Sequence, residues 1–526
     1  MSSFIIAIDI LLLLYFVSQG IKSKNRLVIF FALTQLVLYF IVLSLDFFTF
    51  SDNFLLDKVS FFMLLVVNIV GLIIILYATT YIQDEKFSKS KKINFILILF
   101  FFLAVMNLTV STNNLEIFFL GFELTTLCSY LLIRYRGDTL SQKNALQALW
   151  MNQIGGVAIL ISLIVSIIYY DTVYLDILLK SIDGTFLLPI VFLILAAFVK
   201  GASIPFHPWL LGAMVAPTPV SAILHSATMV KLAPYLILKL SPAFSPTLSV
   251  LVMLFGSFVF MGASILALSK DYFKEILGLS TVALLALMMA IAAIGTPEAI
   301  DICLILIVFH AISKALLFLQ AGILEKVFHL KYLQDINYLV NNSKLVVFFI
   351  IIGFGSLTLP PFGAFIGKFN SIELIASLIG QNILYLFSLV FILLGSVCLT
   401  LLYFKVLTKL LATKNQNSQK QTDIGLVYKS TSWSLVLLLI IGTYICFEFA
   451  FLTIDQIIVP SFLIVVTLIL FYTSSFKYAH RVKEYNCGEK DELSLSAYYF
   501  DIDNKYKKLI LIVSIILICL IILGGF

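Results

Sequence analysis

The sequence predicts an all-α integral membrane protein with roughly 14–16 transmembrane helices, and three observations carry that prediction. The 526 residues are 61% hydrophobic and only 12% charged, with a mean hydropathy of +1.10. Soluble domains sit near roughly 45–50% apolar and about 25% charged, so a soluble fold could not hide this much apolar side chain. The apolar residues are gathered into runs of about the length that crosses a bilayer. Lys and Arg, in turn, concentrate in alternate loops between those runs.

Roughly sixteen runs qualify. They lie near 4–20, 27–45, 60–80, 93–110, 117–133, 150–170, 186–204 and 220–238. The second half adds 247–267, 276–294, 300–322, 345–366, 382–404, 434–454, 458–473 and 508–525. The polar stretches 405–433 and 474–507 are loop-sized, and no segment resembles a separate soluble domain. The stretch from Met1 to Gly20 has no basic leader region and no small-residue cleavage site, so it reads as the first spanning helix.

Charge position sets the topology. The first loop holds Lys22, Lys24 and Arg26; the third holds Lys86, Lys89, Lys91 and Lys92. The fifth holds Arg134, Arg136 and Lys143, and the ninth Lys270 and Lys274. Later odd loops are also Lys-rich, while the seventh carries none. Even loops are nearly bare, with Lys58, Lys180, Lys239 and Lys368 as the main exceptions. Odd loops are therefore expected to face the cytoplasm, with both termini outside and the chain in the cell's inner (cytoplasmic) membrane. The formal charge of +6 is explained by this topology, and no nucleic-acid partner is expected. Cys128, Cys303, Cys398, Cys446 and Cys519 each lie alone in an apolar run, and Cys487 lies in a polar segment. No metal-ligand spacing results, and no cofactor is expected.

A charge inside a spanning helix costs free energy and is seldom kept without use. Seven ionisable residues stand out. Glu123 lies in IFFLGFELTTLCSYLLI, and Lys200 ends LPIVFLILAAFVK. His225 and Lys231 lie in SAILHSATMVKLAPYLIL. His310 and Lys314 lie four residues apart in ICLILIVFHAISKALLFL, hence on one helix face. Lys368 follows the Pro360–Pro361 break. Bland alternatives stand beside this reading. Lys200 or Lys368 at a helix end can snorkel to the headgroups, Glu123 can sit at an interface, and a lone histidine is commonly a packed one. Lys231 and Lys314, flanked by apolar residues on both sides, fit those alternatives poorly. Together one acid, four lysines and two histidines suit a proton relay. Burial favours the neutral form of a lysine and a nearby carboxylate the charged form, so shifting the carboxylate moves a proton.

Two proline-rich breaks strengthen the expectation. Residues 204–219 carry Pro205, Pro208, Pro217 and Pro219, and residues 357–368 repeat the arrangement about 150 positions later. Interrupted helices in two halves of a membrane chain point to internal repeats with ion sites at the breaks, although packing kinks would look the same.

The stretches APTPVSAILHSATMVK, FHAISKALLFLQAG and LPPFGAFIGKF, with GFELTTLCSYLLI and KGASIPFHPWL, resemble the antiporter-like subunits of one family. That family is shared by respiratory complex I, membrane-bound nickel–iron hydrogenases and multisubunit sodium/proton antiporters. The resemblance runs from about residue 50 to 400. It implies two inverted five-helix repeats, each with one broken helix, and a hydrated line of charges at mid-membrane. It divides the chain into N-terminal helices (1–92), two repeats (93–240 and 241–405) and C-terminal helices with polar loops (406–526). It also implies an acidic role for Glu123 paired with Lys200, a central relay of His225, Lys231, His310 and Lys314, and an exit-side charge at Lys368. The chain departs from the pattern twice. Leu306 stands where some members carry a second histidine, and Gly156 where some carry an acid.

The wording HSATMVK, SKDYFKEILGLST and EYNCGE looks most like the hydrogenase-type members, with a complex I subunit and a cation-antiporter subunit as alternatives. The function expected is a proton-translocating subunit, with sodium coupling left open. It is driven by redox partners, because the chain itself carries no flavin, quinone, iron–sulfur or nickel ligand pattern. The partners expected are other membrane subunits, peripheral redox subunits and the lipid bilayer. A gradient-driven antiporter needs the same charges without a redox partner, and a structural anchor needs none of them.

Overall fold

The computed structural model describes residues 2–22, 26–44, 53–182, 186–336, 339–411, 424–448 and 502–525. Among these residues the regular structure is helical, apart from isolated bridges between connecting segments. The N-terminal part comprises α1 (Ser2–Lys22), α2 (Arg26–Ser44), α3 (Lys58–Tyr81), α4 (Lys89–Ser111), α5 (Leu115–Ile133) and α6 (Thr139–Tyr170). A short α7 (Leu175–Ser181) precedes α8 (Leu188–Lys200), α9 (Pro208–Gly212), α10 (Thr218–Ser226) and α11 (Leu232–Leu240). Then come α12 (Pro246–Leu268), α13 (Phe273–Ala292), α14 (Pro297–Lys326), the single turn α15 (Leu339–Asn342), α16 (Lys344–Thr358) and α17 (Gly363–Leu378). The described chain closes with α18 (Leu384–Leu411), α19 (Leu426–Glu448) and α20 (Asn504–Leu523).

Among the described residues, twelve helical segments are long and apolar enough to cross a membrane, and three shorter apolar segments lie in α1, α2 and α8. The protein is thus a multi-pass integral membrane protein. Each expected run holds a helix except 458–473, which lies outside the described residues, as does most of the polar segment 474–507. The helices begin where a short polar side chain can satisfy a free N–H group. Asp57, Ser88, Asn114, Asp138, Ser245, Thr296 and Ser343 each accept from a backbone N–H in the first turn of the helix that follows.

Burial grades from centre to rim. The spans containing α10–α11, α13 and α14 are almost wholly enclosed, whereas α18 and α20 turn most of their apolar surface outward. Leu393, Leu394, Val397 and Leu401 of α18 are exposed in this way, as lipid-facing side chains should be.

The breaks fall differently from the expected runs. The run 186–204 ends as helix at Lys200, turns through Gly201–His207 and resumes as α9, with Pro208 in its first turn, where a missing N–H costs nothing. The run 220–238 is not one helix. It stops at Ser226, opens at Ala227 and Thr228 and restarts through Met229–Lys231. The run 345–366 stops at Thr358 before Pro360–Pro361 and continues as α17 to Leu378. Lys368 therefore lies within a broken span, not in an even loop.

Ion pairs gather at the two ends of the bundle and agree with the odd–even division of the loops. At one end Lys274 reaches Glu325 at 2.6 Å, Arg136 approaches Glu325 at 3.6 Å and Glu85 at 3.9 Å, and Lys326 meets Glu85 at 2.6 Å. Lys405 joins Asp271 at 3.0 Å on the same side. At the other end Lys58 pairs with Asp301, and Lys239 with Asp57 at 2.8 Å. Burial works to raise the Asp57 carboxyl, yet the bonds from Lys239 and Ser60 hold it below the usual carboxylate range.

Candidate functional site

All seven charged or titratable residues singled out in the apolar runs are buried. Glu123, Lys200, His225, Lys231 and Lys314 have no exposed surface, His310 keeps 1% and Lys368 5%. A snorkelling Lys200 and an interfacial Glu123 are thereby excluded for this chain, since each of those readings needs an accessible head group.

The first group forms where α5 meets α2, α6 and α8. Oε1 of Glu123 accepts from Gln35 Nε2 at 2.9 Å, and Oε2 has no partner. Gln35 is itself held by Gln153 of α6, donating to its carbonyl at 3.4 Å and accepting from its side chain at 3.4 Å. A Cβ on Gly156 would collide with Gln35 Nε2 and Glu123 Oε1. The missing side chain at Gly156, where some related sequences carry an acid, is the space that Glu123 and Gln35 fill. Lys200 ends α8 beneath this group. Its Nζ donates to the Phe122 carbonyl at 3.0 Å and to Thr126 Oγ1 at 2.9 Å, and lies 3.8 Å from the centre of the Phe122 ring. Lys200 thus grips the residues on either side of Glu123 without forming a direct ion pair with it.

A second group occupies the centre. The opening at Ala227–Thr228 separates His225, on α10, from Lys231, which starts α11. Lys231 Nζ lies 2.8 Å from His310 Nδ1 and 3.7 Å from the Met288 sulfur. His310 Nε2 and both ring nitrogens of His225 have no hydrogen-bond partner, and the His225 ring packs on Phe318 at 4.9 Å. One turn beyond His310, Lys314 Nζ donates to the Leu277 carbonyl at 3.0 Å and to Ser280 Oγ at 2.5 Å, both on α13.

Lys368 stands apart. It lines a groove of about 340 Å³ with Thr358, Phe365, Ser396, Thr400 and Phe404. Leu306 packs against Gly367 between α14 and α17. The position where some related sequences carry a second histidine therefore holds an apolar contact between the His310 and Lys368 regions. The seven residues are not one unbroken hydrogen-bonded line. They form a Glu123–Lys200 group, a central group of His225, Lys231, His310 and Lys314, and a separate lysine, and water would have to link them.

Sequence reading missed several members. Gln35, Gln153, Thr126 and Ser280 are the polar seats of the charged groups. The signal for Gln35 was present, a single amide inside the apolar run 27–45. Thr126 and Ser280 look like ordinary helix hydroxyls until a neighbouring lysine points at them. Lys274 reads as a loop lysine and Glu325 is not singled out in the sequence, yet they form an ion pair that is largely shielded, with the Glu325 side chain 12% and the Lys274 side chain 5% exposed.

Comparison with known proteins bears on the whole arrangement. A family model described as NADH:quinone oxidoreductase/Mrp antiporter, TM, matches residues 112–395, which contain all seven residues. A second, described as NADH-ubiquinone oxidoreductase (complex I), chain 5 N-terminus, matches residues 43–89. Curated relatives named "Putative antiporter subunit mnhA2" occur in Staphylococcus aureus strains JH9, JH1 and USA300. Each is 35% identical over 294 residues, covering 51% of this chain and 36% of the relative. The chain thus spans little more than a third of the length of the curated relatives it matches.

Proposed function

Because the chain belongs to the NADH:quinone oxidoreductase/Mrp antiporter membrane family, we propose that it moves protons across the membrane along its buried charges, as one subunit of a larger membrane assembly. The observation that carries the proposal is the buried Lys231–His310 Nδ1 contact at 2.8 Å, with the other ring nitrogen, Nε2, free of any partner. A proton leaving the Lys231 ammonium for His310 Nδ1 yields a neutral amine and an imidazolium. The imidazolium then releases its other proton from Nε2 to water, and charge is conserved at each step. Lys200 and Lys314 are held by a carbonyl and a hydroxyl, which stabilise an ammonium without fixing it as a full ion pair would. Glu123 acts as the switch. Its carboxylate favours a charged Lys200, and withdrawing it frees the proton.

The reading carries the two inverted repeats, 93–240 and 241–405, with the interruptions after Lys200 and before Lys368 as their matching broken helices. It also carries an inner-membrane location with the Lys-rich odd loops in the cytoplasm and both termini outside. The curated relatives are antiporter subunits by name, and this favours a multisubunit cation/proton antiporter as the assembly. The motif wording supports a second reading, a membrane-bound hydrogenase with peripheral redox subunits. A complex I-type partner set remains the third.

The test is proton transport in vesicles that hold the assembled complex. Lys314→Ala and Glu123→Ala should each slow transport by about 100-fold, the scale of losing a proton-transfer group. Intact assembly with unchanged transport in both variants would remove these residues from the mechanism. Addition of sodium to the same vesicles separates antiport from purely redox-driven pumping.

A further inference from the structure

Both helices that precede the matched regions carry buried polar groups that the relay above does not use. Asp9 of α1 is fully buried, and its Oδ2 accepts from Tyr39 of α2 at 2.8 Å. Tyr39 stacks on Phe119 of α5 with ring centres 5.7 Å apart. Ten residues along α1, Gln19 accepts from Tyr130 at 3.1 Å and from Arg134 at 3.2 Å. Hence α1 runs parallel to α5, and Asp9 sits near the level of Phe119. That level lies between Glu116, buried in the first turn of α5, and Glu123. At about 1.5 Å rise per residue, each acid is roughly 5 Å along the helix from the Asp9 level. Asp9 interacts electrostatically with both.

We propose that Asp9 carries protons between Glu116, at the membrane face where α5 begins, and Glu123. This route rests on the proton-relay reading and adds a second path to Glu123 along the α1–α2 side. Oδ1 of Asp9 and Oε2 of Glu123 are both buried without partners, so each acid keeps an oxygen free to take a proton. A proton passes from the Glu116 carboxylic acid through an intervening water to Asp9 Oδ1, leaving Glu116 ionised. It then passes through a second intervening water from Asp9 to Glu123 Oε2, leaving Asp9 ionised. Each step neutralises one carboxylate as it ionises another.

A helix-stapling role alone does not call for this arrangement. Tyr39 needs a single acceptor, and a carboxyl group inside an apolar helix is a costly way to supply it. Asp9, Gln35 and Tyr39 also lie outside the residues matched by the family models, 43–89 and 112–395.

The experiment measures proton transport in vesicles holding the assembled complex, with Asp9→Asn, Asp9→Glu, Tyr39→Phe, Glu116→Gln and Glu123→Gln side by side. Asp9→Asn and Glu116→Gln should each slow transport about tenfold, and Asp9→Glu should restore most of the rate, because the step needs a titrating carboxyl group. Tyr39→Phe should slow it by about threefold through misplacement of Asp9. An assembled Asp9→Asn complex at the unaltered rate overturns the route. Should that variant not assemble, Tyr39→Phe and Glu116→Gln read the same path, and full rates in both overturn it. Normal transport in Glu123→Gln would instead bring down the relay reading itself. A slow Glu123→Gln beside a normal Asp9→Asn defeats only the Asp9 route.

Discussion

Lys200 and Lys314 sit in nearly the same kind of seat. Each points its ammonium at a neighbouring helix and donates to one carbonyl and to one hydroxyl a turn further on. For Lys200 these are Phe122 and Thr126 of α5; for Lys314 they are Leu277 and Ser280 of α13. The difference lies in what shares the seat. Beside Lys200, α5 carries Glu123, steadied by Gln35 and Gln153. Beyond its first turn, α13 carries no acid, and Lys314 is neighboured by His310, His225 and Lys231. One seat can balance its charge internally. The other holds four bases, where a proton on one disfavours a proton on the next. A carboxylate-backed lysine suits capture, and a crowd of bases suits handing on.

The comparison can be broken by making the second seat resemble the first. Ser280→Asp would set a carboxylate beneath Lys314 and hold it as an ion pair. Proton transport in assembled vesicles should fall about tenfold or more, equivalent to at least about 1.4 kcal/mol in the limiting step. A faster or unchanged rate would mean that the absence of an acid on α13 has no role. A smaller effect sharpens the first seat. Gly156→Ala pushes a methyl group into the contact between Gln35 and Glu123, and overpacking of this kind costs about 1–3 kcal/mol. Thermal stability should drop and transport slow about fivefold, given that small displacements of a positioned group carry large rate costs. Gly355→Ala provides the matched control, because a Cβ there meets only the Tyr403 hydroxyl at 4.0 Å. It should leave both readouts unchanged.

The fold was legible because its signals are local. Apolar runs and loop lysines act over one or two turns, and every expected run within the described residues holds helix, three of them interrupted. The breaks were less legible. Pro360–Pro361 announced one, but the opening at Ala227–Thr228 has no proline within it and reads as continuous helix. The charged residues were visible as charges in apolar surroundings. Their seats were not, because Thr126, Ser280 and Gln35 become informative only when another helix brings a lysine or a glutamate to them. Gly156 is the clearest case. In sequence it is a missing acid, and in the fold it is the room that lets Glu123 meet an amide from α2. Asp9 was hidden for a similar reason. One acid near the start of the first helix looks like an end residue until Tyr39 and α5 enclose it.

The account depends most on proton transfer at the centre of the bundle, where Lys231 meets His310. The direct measurement is the rate of proton movement into vesicles holding the complex with Lys231→Ala, beside an assay of complex assembly. The account predicts normal assembly and a rate about 100-fold lower. A fully assembled Lys231→Ala complex that moves protons at the unaltered rate would contradict it.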